Sequence, residues 1–403
     1  SLYLHVPYCV LRCLYCGCHT LIRRDRDLGV RYVDTLLDEL RLTGQHTDVT
    51  RPLRQLALGG GTPTFLLPED MERLFEGMRS ILNFAEGAEL SIEIDPREIQ
   101  PEYIDRLANL GINRFSFGVQ DINPEVMKAI GRVQDDSQVE AAIGAVRRNG
   151  KWPVNFDIMY GLPLQTVHTF HDTVRRIIDL GPDRIALFGY AHVPWLKKHQ
   201  RGIERYDRPD ADLRLRLYLQ AREQLEAAGY VAIGLDHFAR PQDALALAWT
   251  DGTLHRNFMG YTTQRGLDLL AGGVSGISLV NGVYLCNEPE VDAWRAQIDA
   301  GELRWPRGLL MAGDDDLRGE VIESVMCQFK IDKRAIERTY EIDFDSYFAD
   351  AHEALAPLRA DGLIEEDADG LRVTEDGQMF VRNVAMVFDR YLAGGEGRFS
   401  QTV

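Results

Sequence analysis

Four of the chain's six cysteines fall within ten residues, as Cys9, Cys13, Cys16 and Cys18. Thiolates are soft ligands that suit zinc and iron–sulfur clusters. A structural zinc site asks for four ligands, commonly as two separated pairs. No second close pair exists here, because Cys286 and Cys327 each stand alone. Cys9, Cys13 and Cys16, spaced Cys-x3-Cys-x2-Cys, can instead hold three irons of a [4Fe–4S] cubane. The fourth iron then stays open to a small molecule, unlike electron-transfer clusters held by four cysteines. Zinc and unligated thiols are the alternatives. Cys18 falls outside the three-ligand set, as a spare thiol, a supporting neighbour or an accessory in catalysis.

Further along stand other groups that could meet a ligand. Gly59-Gly60-Gly61-Thr62-Pro63-Thr64 follows an apolar run. Glycines permit close backbone approach, and freed N–H groups can receive an anionic or amino-acid ligand; a plain tight turn is the other reading. Glu93 and Gln120 close two further apolar runs, and Asp157 lies in a third. Polar side chains near the carboxyl ends of parallel strands are where α/β folds place ligand contacts. Each alone could be a buried structural polar group, but three in successive strands favour ligand binding. Carboxylates suit ribose hydroxyls, which donate hydrogen bonds.

The elements that must position these groups read as alternating strands and helices. Strands are predicted at 2–6, 54–58, 88–94, 114–118, 154–159 and 184–188. Amphipathic helices are predicted near 28–43, 68–82, 101–109, 137–149 and 167–180. Val33, Leu36, Leu37 and Leu40, for example, share one helical face. Such alternation argues for βαβ units around a parallel sheet. The predicted fold class is α/β, a partial (β/α)6 TIM-like barrel with a mostly helical C-terminal domain. A helix near 210–228 and a short strand at 230–235 follow. Residues 239–266 read as a long polar loop. From 301 onward helices at 317–327, 333–340 and 345–361 precede a hairpin at 362–366 and 371–374, a winged-helix-like order, although the acidity of the segment favours a docking or lid domain with no DNA role. Three consecutive blocks are expected: a barrel over 1–240, an extension with a substrate-side loop over 241–300, and the helical domain over 301–403.

The 403 residues carry 62 carboxylates against 45 Lys and Arg, a net charge of −17. That balance speaks against general nucleic-acid binding. No stretch approaches the about 18 consecutive apolar residues of a membrane span, and the first residues do not form a secretory signal. A cytoplasmic location is expected, where crowded cysteines more often mean metal chemistry than disulfides.

Cys-x3-Cys-x2-Cys after a short strand is similar to the hallmark of the radical S-adenosylmethionine superfamily. More of the chain resembles one branch of it, the oxygen-independent coproporphyrinogen III oxidases, also called coproporphyrinogen dehydrogenases. The resemblance rests on Tyr3-Leu4-His5-Val6-Pro7-Tyr8-Cys9, Cys13-Leu14-Tyr15-Cys16-Gly17-Cys18, the Gly59–Thr64 run, Ser91–Arg97, Gly118–Asp121 and Asn155–Pro163. It continues through Tyr190-Ala191-His192, 235–241, 254–258, 260–264, 273–278 and a Phe399-Ser400 tail, so it covers essentially the whole chain. It implies that Cys9, Cys13 and Cys16 hold the cluster, and that Tyr3, Tyr15, Gly60, Gly61, Thr62 and Glu93 contact one S-adenosylmethionine. It further implies that Gln120, Arg132, Asp157, Ala191 and Ile277 are additional S-adenosylmethionine contacts, with two such molecules held. Gly131-Arg132-Val133-Gln134 departs from the family's Asn-Arg-Glu-Gln string, which leaves the second of these sites less well supported by sequence.

The activity so implied is conversion of two propionates of coproporphyrinogen III to vinyl groups, giving protoporphyrinogen IX in haem biosynthesis. A 5′-deoxyadenosyl radical takes a hydrogen from the propionate β-carbon; carbon dioxide and one electron then leave, the electron passing to an unidentified acceptor. The expected donor is a flavodoxin-type reductant, and the expected state is a monomer. Arginines should pair with the substrate's propionates, with Arg12, Arg23, Arg24, Arg240 and Arg256 as candidates. The alternatives are a related porphyrin methyltransferase or haem-degrading enzyme, or a non-enzymatic haem chaperone. The chaperone group typically lacks a cysteine at the position of Cys18.

Overall fold

The structure, a computed structural model, describes residues 1–150 and 152–392. The Phe399-Ser400 tail lies outside the described residues. The chain divides into two compact units, 1–224 with 266–310, and 225–265 with 311–403. Each unit is built from two separate stretches, where the sequence suggested three consecutive blocks.

The first unit is organised by seven strands: β1 (Leu2–Val6), β2 (Leu53–Gly60), β3 (Phe84–Ile94), β4 (Arg114–Gln120), β5 (Val154–Tyr160), β6 (Arg184–Gly189) and β7 (Leu270–Gly272). Their spatial order is β7-β1-β2-β3-β4-β5-β6, and every pairing is parallel. The first six are the six predicted strands; β7 comes from the second stretch of the unit.

Helices join consecutive strands, and local sequence explains their ends. Pro68–Ile81 starts with proline and then Glu69 and Asp70, which suit a helix N-terminus. Asp135 and Gln138 form a capping box for Asp136–Asn149. Thr166 caps Val167–Leu180, which ends on Gly181 at φ 67°.

Parallel strands covered on both faces usually read as continuous apolar runs. These do not. In β3 the order is Leu90-Ser91-Ile92-Glu93-Ile94, in β4 Phe115-Ser116-Phe117-Gly118, and in β5 Phe156-Asp157-Ile158. Leu90, Ile92, Ile94, Phe115, Phe117, Phe156 and Ile158 are buried. The residues between them point to the other face and keep contact with solvent. The sheet therefore has an apolar outer face and a polar inner wall. Pairing brings Glu93 beside Ser116, and Ser116 beside Asn155; one step on, Gly118 lies beside Asp157.

In the second unit Asp315–Gln328, Lys333–Tyr340, Phe344–Tyr347 and Ala349–Ala360 are helices. The predicted third helix is thus two. A three-stranded antiparallel sheet contains the expected hairpin, Ile364–Glu366 with Gly370–Val373, and a strand the sequence reading lacked, Lys330–Asp332. The stretch read as a polar loop is also corrected. Asp243 caps a helix at Ala244–Thr250, and His255–Asn257 pairs with Gly260–Thr262. Leu245, Ala246 and Tyr261 bury there, and the apolar run Ala244–Trp249 was the available signal. No described helix is long and apolar enough to cross a membrane.

Candidate cluster and cofactor site

Cys9 ends a two-residue strand, Tyr8–Cys9, that runs parallel to Leu21–Ile22. Cys13 and Cys16 follow in the loop, tied by Cys16 N–H to the Cys13 carbonyl at 3.3 Å. All are free thiols. Cys9 Sγ lies 3.4 Å from Thr62 Oγ1, and the Thr62 N–H donates to the Tyr8 carbonyl at 2.9 Å. The glycine run therefore lies against the cysteine strand. A side chain at Gly61 would place its Cβ 2.7 Å from the Pro7 carbonyl oxygen, so only glycine fits.

Cys13 meets two buried guanidinium groups, Arg97 Nη2 at 3.5 Å and Arg132 Nη1 at 3.6 Å. Both arginines are pinned by Asp95. Arg97 donates to it at 2.6 Å, and Arg132 reaches its two oxygens at 3.0 and 3.1 Å while also donating to the Gly118 carbonyl. Hydrogen bonds to cluster sulfurs set reduction potential in iron–sulfur proteins. Cys16 behaves differently from Cys9. A hydrogen bond from Cys18 lowers the Cys16 thiol to about 6, assisted by Lys197 and Arg12. Burial pushes Cys9 up to about 11.

The segment Lys197–Gln200 grips the loop from outside. Lys197 Nζ donates to the Cys18 carbonyl at 2.9 Å, His199 Nε2 to the Cys16 carbonyl at 2.8 Å, and Gln200 Nε2 to the Tyr15 carbonyl at 2.8 Å. Burial raises the Tyr15 hydroxyl well above its ordinary value.

On the inner wall, a Cβ at Gly59 would come within 3.0 Å of both Glu93 and Tyr3, which places those side chains together. The Gly60 N–H faces Glu93 Oε2 at 3.4 Å. Water reaches Glu93 from the open face of the wall, yet protein surrounds it. Loss of bulk hydration, then the charge of Asp157, pushes its carboxyl up to about 7. Tyr3 Oη contacts His5 Nδ1 at 3.1 Å, and His5 Nε2 contacts the His19 carbonyl at 3.0 Å. Asp157 accepts from Asn155 Nδ2 at 2.8 Å and from Ser116 Oγ at 3.3 Å. Gln120 sits at φ 71°, where the β4–β5 register shifts. A non-glycine residue held there stores backbone strain, as ligand-contacting positions often do.

The expected residues do not all sit alike. Tyr3, Gly60, Thr62 and Glu93 gather by the cysteine loop with Gly61. Arg132 is buried beside Cys13 and Asp95. Ala191 enters through its carbonyl, which accepts from Gln200 Nε2 at 3.2 Å. Ile277 opens the strand Ile277–Val280, next to β7 through the Ala271 N–H bond to Ser278 Oγ. Of the five arginine candidates, Arg240 lies over the Tyr230 ring and Arg256 over the Tyr261 ring. Arg23 donates to the Ile22 carbonyl, Arg12 faces His199 Nδ1 at 3.5 Å, and Arg24 is exposed. Sequence reasoning missed Asp95, Arg97, Ser116, Asn155 and His199. The strict alternation in β4 and β5 was the available signal for Ser116 and Asn155.

The donor set fits a cubane. Its thiolates are soft, and the glycine run that touches Cys9 also touches Glu93 on the polar wall. Among the described residues no three Cys, His, Asp or Glu side chains converge on a single-ion point. A cubane does not ask for that, since its irons occupy separate corners.

Residues 3–177 match the model of the radical SAM superfamily, and residues 311–380 match that of the HemN C-terminal domain. This is a radical S-adenosylmethionine protein. Oxygen-independent coproporphyrinogen III oxidase of Salmonella typhimurium is 41% identical over 97% of this chain and 86% of its own length. That of Pseudomonas aeruginosa is 41% identical over 100% of this chain and 88% of its own. The solved structure of coproporphyrinogen III oxidase (HemN) from Escherichia coli, a radical SAM enzyme, superposes with a TM-score of 0.93 at 41% identity, covering 97% of this chain and 90% of that one. The chain belongs to the oxygen-independent coproporphyrinogen III oxidase family.

Proposed function

We propose that this chain oxidatively decarboxylates two propionates of coproporphyrinogen III to vinyl groups, giving protoporphyrinogen IX without oxygen. The observation that carries the reading is the pairing of three loop thiols, Cys9, Cys13 and Cys16, with a polar wall led by Glu93. Cys9, Cys13 and Cys16 would hold a [4Fe–4S] cluster, which would supply the electron for reductive cleavage of S-adenosylmethionine. The residues do the rest. Gly60 and Gly61 bring bare backbone to the ligand's amino-acid end, and the Glu93 carboxylate receives its amino group. Asp157, fixed by Asn155 and Ser116, offers an oxygen to a ribose hydroxyl. Tyr3 and Tyr15 wall the site against water. Gln120, Arg132, Ala191 and Ile277 belong to the setting of a second S-adenosylmethionine, so that two propionates are processed. No general base is required, because hydrogen, carbon dioxide and an electron leave the propionate in turn. Cys18, hydrogen-bonded to Cys16 and exposed, is an accessory rather than a ligand. We place the reaction in the cytoplasm, in a monomer.

The test is anaerobic reconstitution of the cluster, followed by S-adenosylmethionine, reductant, an electron acceptor and coproporphyrinogen III. Mass analysis should show loss of two carbon dioxides. A methylated product, an opened ring, or haem binding without turnover would overturn the proposal.

A further inference from the structure

The chain is strongly acidic, yet the surface around its cysteine loop is not. Residues 10–18 and 195–203 contain Arg12, Lys197, Lys198 and Arg201 and no carboxylate. Among the described residues no Asp or Glu pairs with any of these four. Lys197, His199 and Gln200 turn inward and hold the carbonyls of Cys18, Cys16 and Tyr15. Leu196, Lys198 and Arg201 turn outward and are exposed, Leu196 at 68%. Leu11 and Arg12, between Cys9 and Cys13, are exposed too. On the other flank Leu14 N–H donates to the Ile130 carbonyl at 2.8 Å, and Val133, three residues on, is 80% exposed. Exposed apolar side chains, Leu11 and Leu196, thus stand beside the exposed cations Arg12, Lys198 and Arg201 on the segments that form the loop and hold its carbonyls.

We propose that this collar is the docking surface for an acidic protein that donates single electrons. The inference rests on the cluster reading above and names a partner for that same site. Three arguments support it. First, charge complementarity: a net −17 chain repels an acidic partner everywhere except at a local cationic patch, and such a patch steers encounter to itself. Second, position: the segment that carries the patch holds the backbone of the loop whose sulfurs would carry the electron, through the carbonyls of Tyr15, Cys16 and Cys18. Third, size: a few exposed apolar residues with a cationic rim suit the small, transient interfaces of redox encounters. The step is simple in its balance. The donor, for example a flavodoxin hydroquinone, is oxidised by one electron, and the cluster is reduced by one.

Lys198→Glu with Arg201→Glu reverses the rim and leaves the contacts of Lys197, His199 and Gln200 untouched. With the reconstituted full chain, stopped-flow bleaching of the cluster by flavodoxin hydroquinone should slow by about tenfold or more at low salt, and the salt dependence should flatten. Reduction by photoreduced deazaflavin, which needs no docking face, should proceed at the unaltered rate. Binding of oxidised flavodoxin, read by calorimetry on the same two proteins, should weaken in parallel and involves no electron transfer. Equal flavodoxin rates and affinities in both proteins would overturn the proposal. So would equal slowing by both reductants, or a raised KM for coproporphyrinogen III in their place. Failure of the functional reading looks different: the cluster is reduced normally and no product loses carbon dioxide.

Discussion

Two charged groups in this molecule, one buried and one on an open wall, have opposite surroundings. In the second unit the Lys333 side chain is 4% exposed. Its ammonium donates to Asp345 at 2.7 Å, to Glu366 at 2.9 Å and to the Asp367 carbonyl at 3.4 Å. Burial opposes its charge, but these partners prevail and raise its pKa. On the inner wall of the first unit, Glu93 has one backbone N–H at 3.4 Å and a like charge, Asp157, nearby. Among the described residues no Lys or Arg pairs with it. Buried charges are normally paired. A charge placed for structure is completed by the protein itself, as at Lys333. One left incomplete on a wall open to solvent, as Glu93 is, accords with the ligand-binding role proposed for it.

That contrast can be broken at several points. The largest effect is expected from Cys13→Ala, which should abolish both the cluster and turnover; an intact cubane by visible absorbance and iron content would contradict the ligand assignment. Next is Asp95→Asn. Arg97 and Arg132 are then two buried cations sharing no carboxylate, and removal of one partner from such a set costs about 3–5 kcal/mol. Thermal unfolding of the cluster-free protein should show it, and loading of iron should fall as Cys13 loses its fixed donors. Lys333→Met should cost less, about 2–3 kcal/mol, because Asp345 is mostly open to solvent. The loss should appear in unfolding alone, with iron content unchanged. Loss of iron in this variant would erase the distinction between a structural and a functional charge.

The same contrast explains how much could be read beforehand. The six barrel strands were legible because apolar and β-branched runs recur at regular intervals between amphipathic helices. The proposed cysteine ligands were legible because their spacing in the sequence marks them. Asp95 and Arg97 were not, since their role depends on Arg132 folding back across 37 residues to share one carboxylate. The grip of Lys197, His199 and Gln200 on the loop spans more than 170 residues and leaves no local pattern. The division into two interleaved units was hidden for a related reason. The strand Leu270–Gly272 completes the sheet beside β1, a pairing between residues 2 and 270 that no window of sequence contains.

The smallest predicted effect is the sharpest test of what completes Glu93. Its carboxyl is pushed up to about 7, above its ordinary value, mainly through loss of hydration. Between its ordinary and its raised value the folded protein binds more protons than the unfolded chain, so this group's contribution to stability falls as pH rises through that window. A cationic amino group bound beside it reverses the preference and favours the carboxylate. Affinity for S-adenosylmethionine should therefore rise from pH 5.5 to pH 8 and level off above about 7. Glu93→Gln removes the charge and keeps the shape. It should weaken binding about tenfold at pH 8, equivalent to about 1.4 kcal/mol, and match the parent at pH 5.5. The variant's affinity should also lose its slope with pH across that range. A parallel slope in both proteins, measured by equilibrium dialysis, would assign the titration to another group and leave Glu93 as part of the wall rather than its receptor for charge.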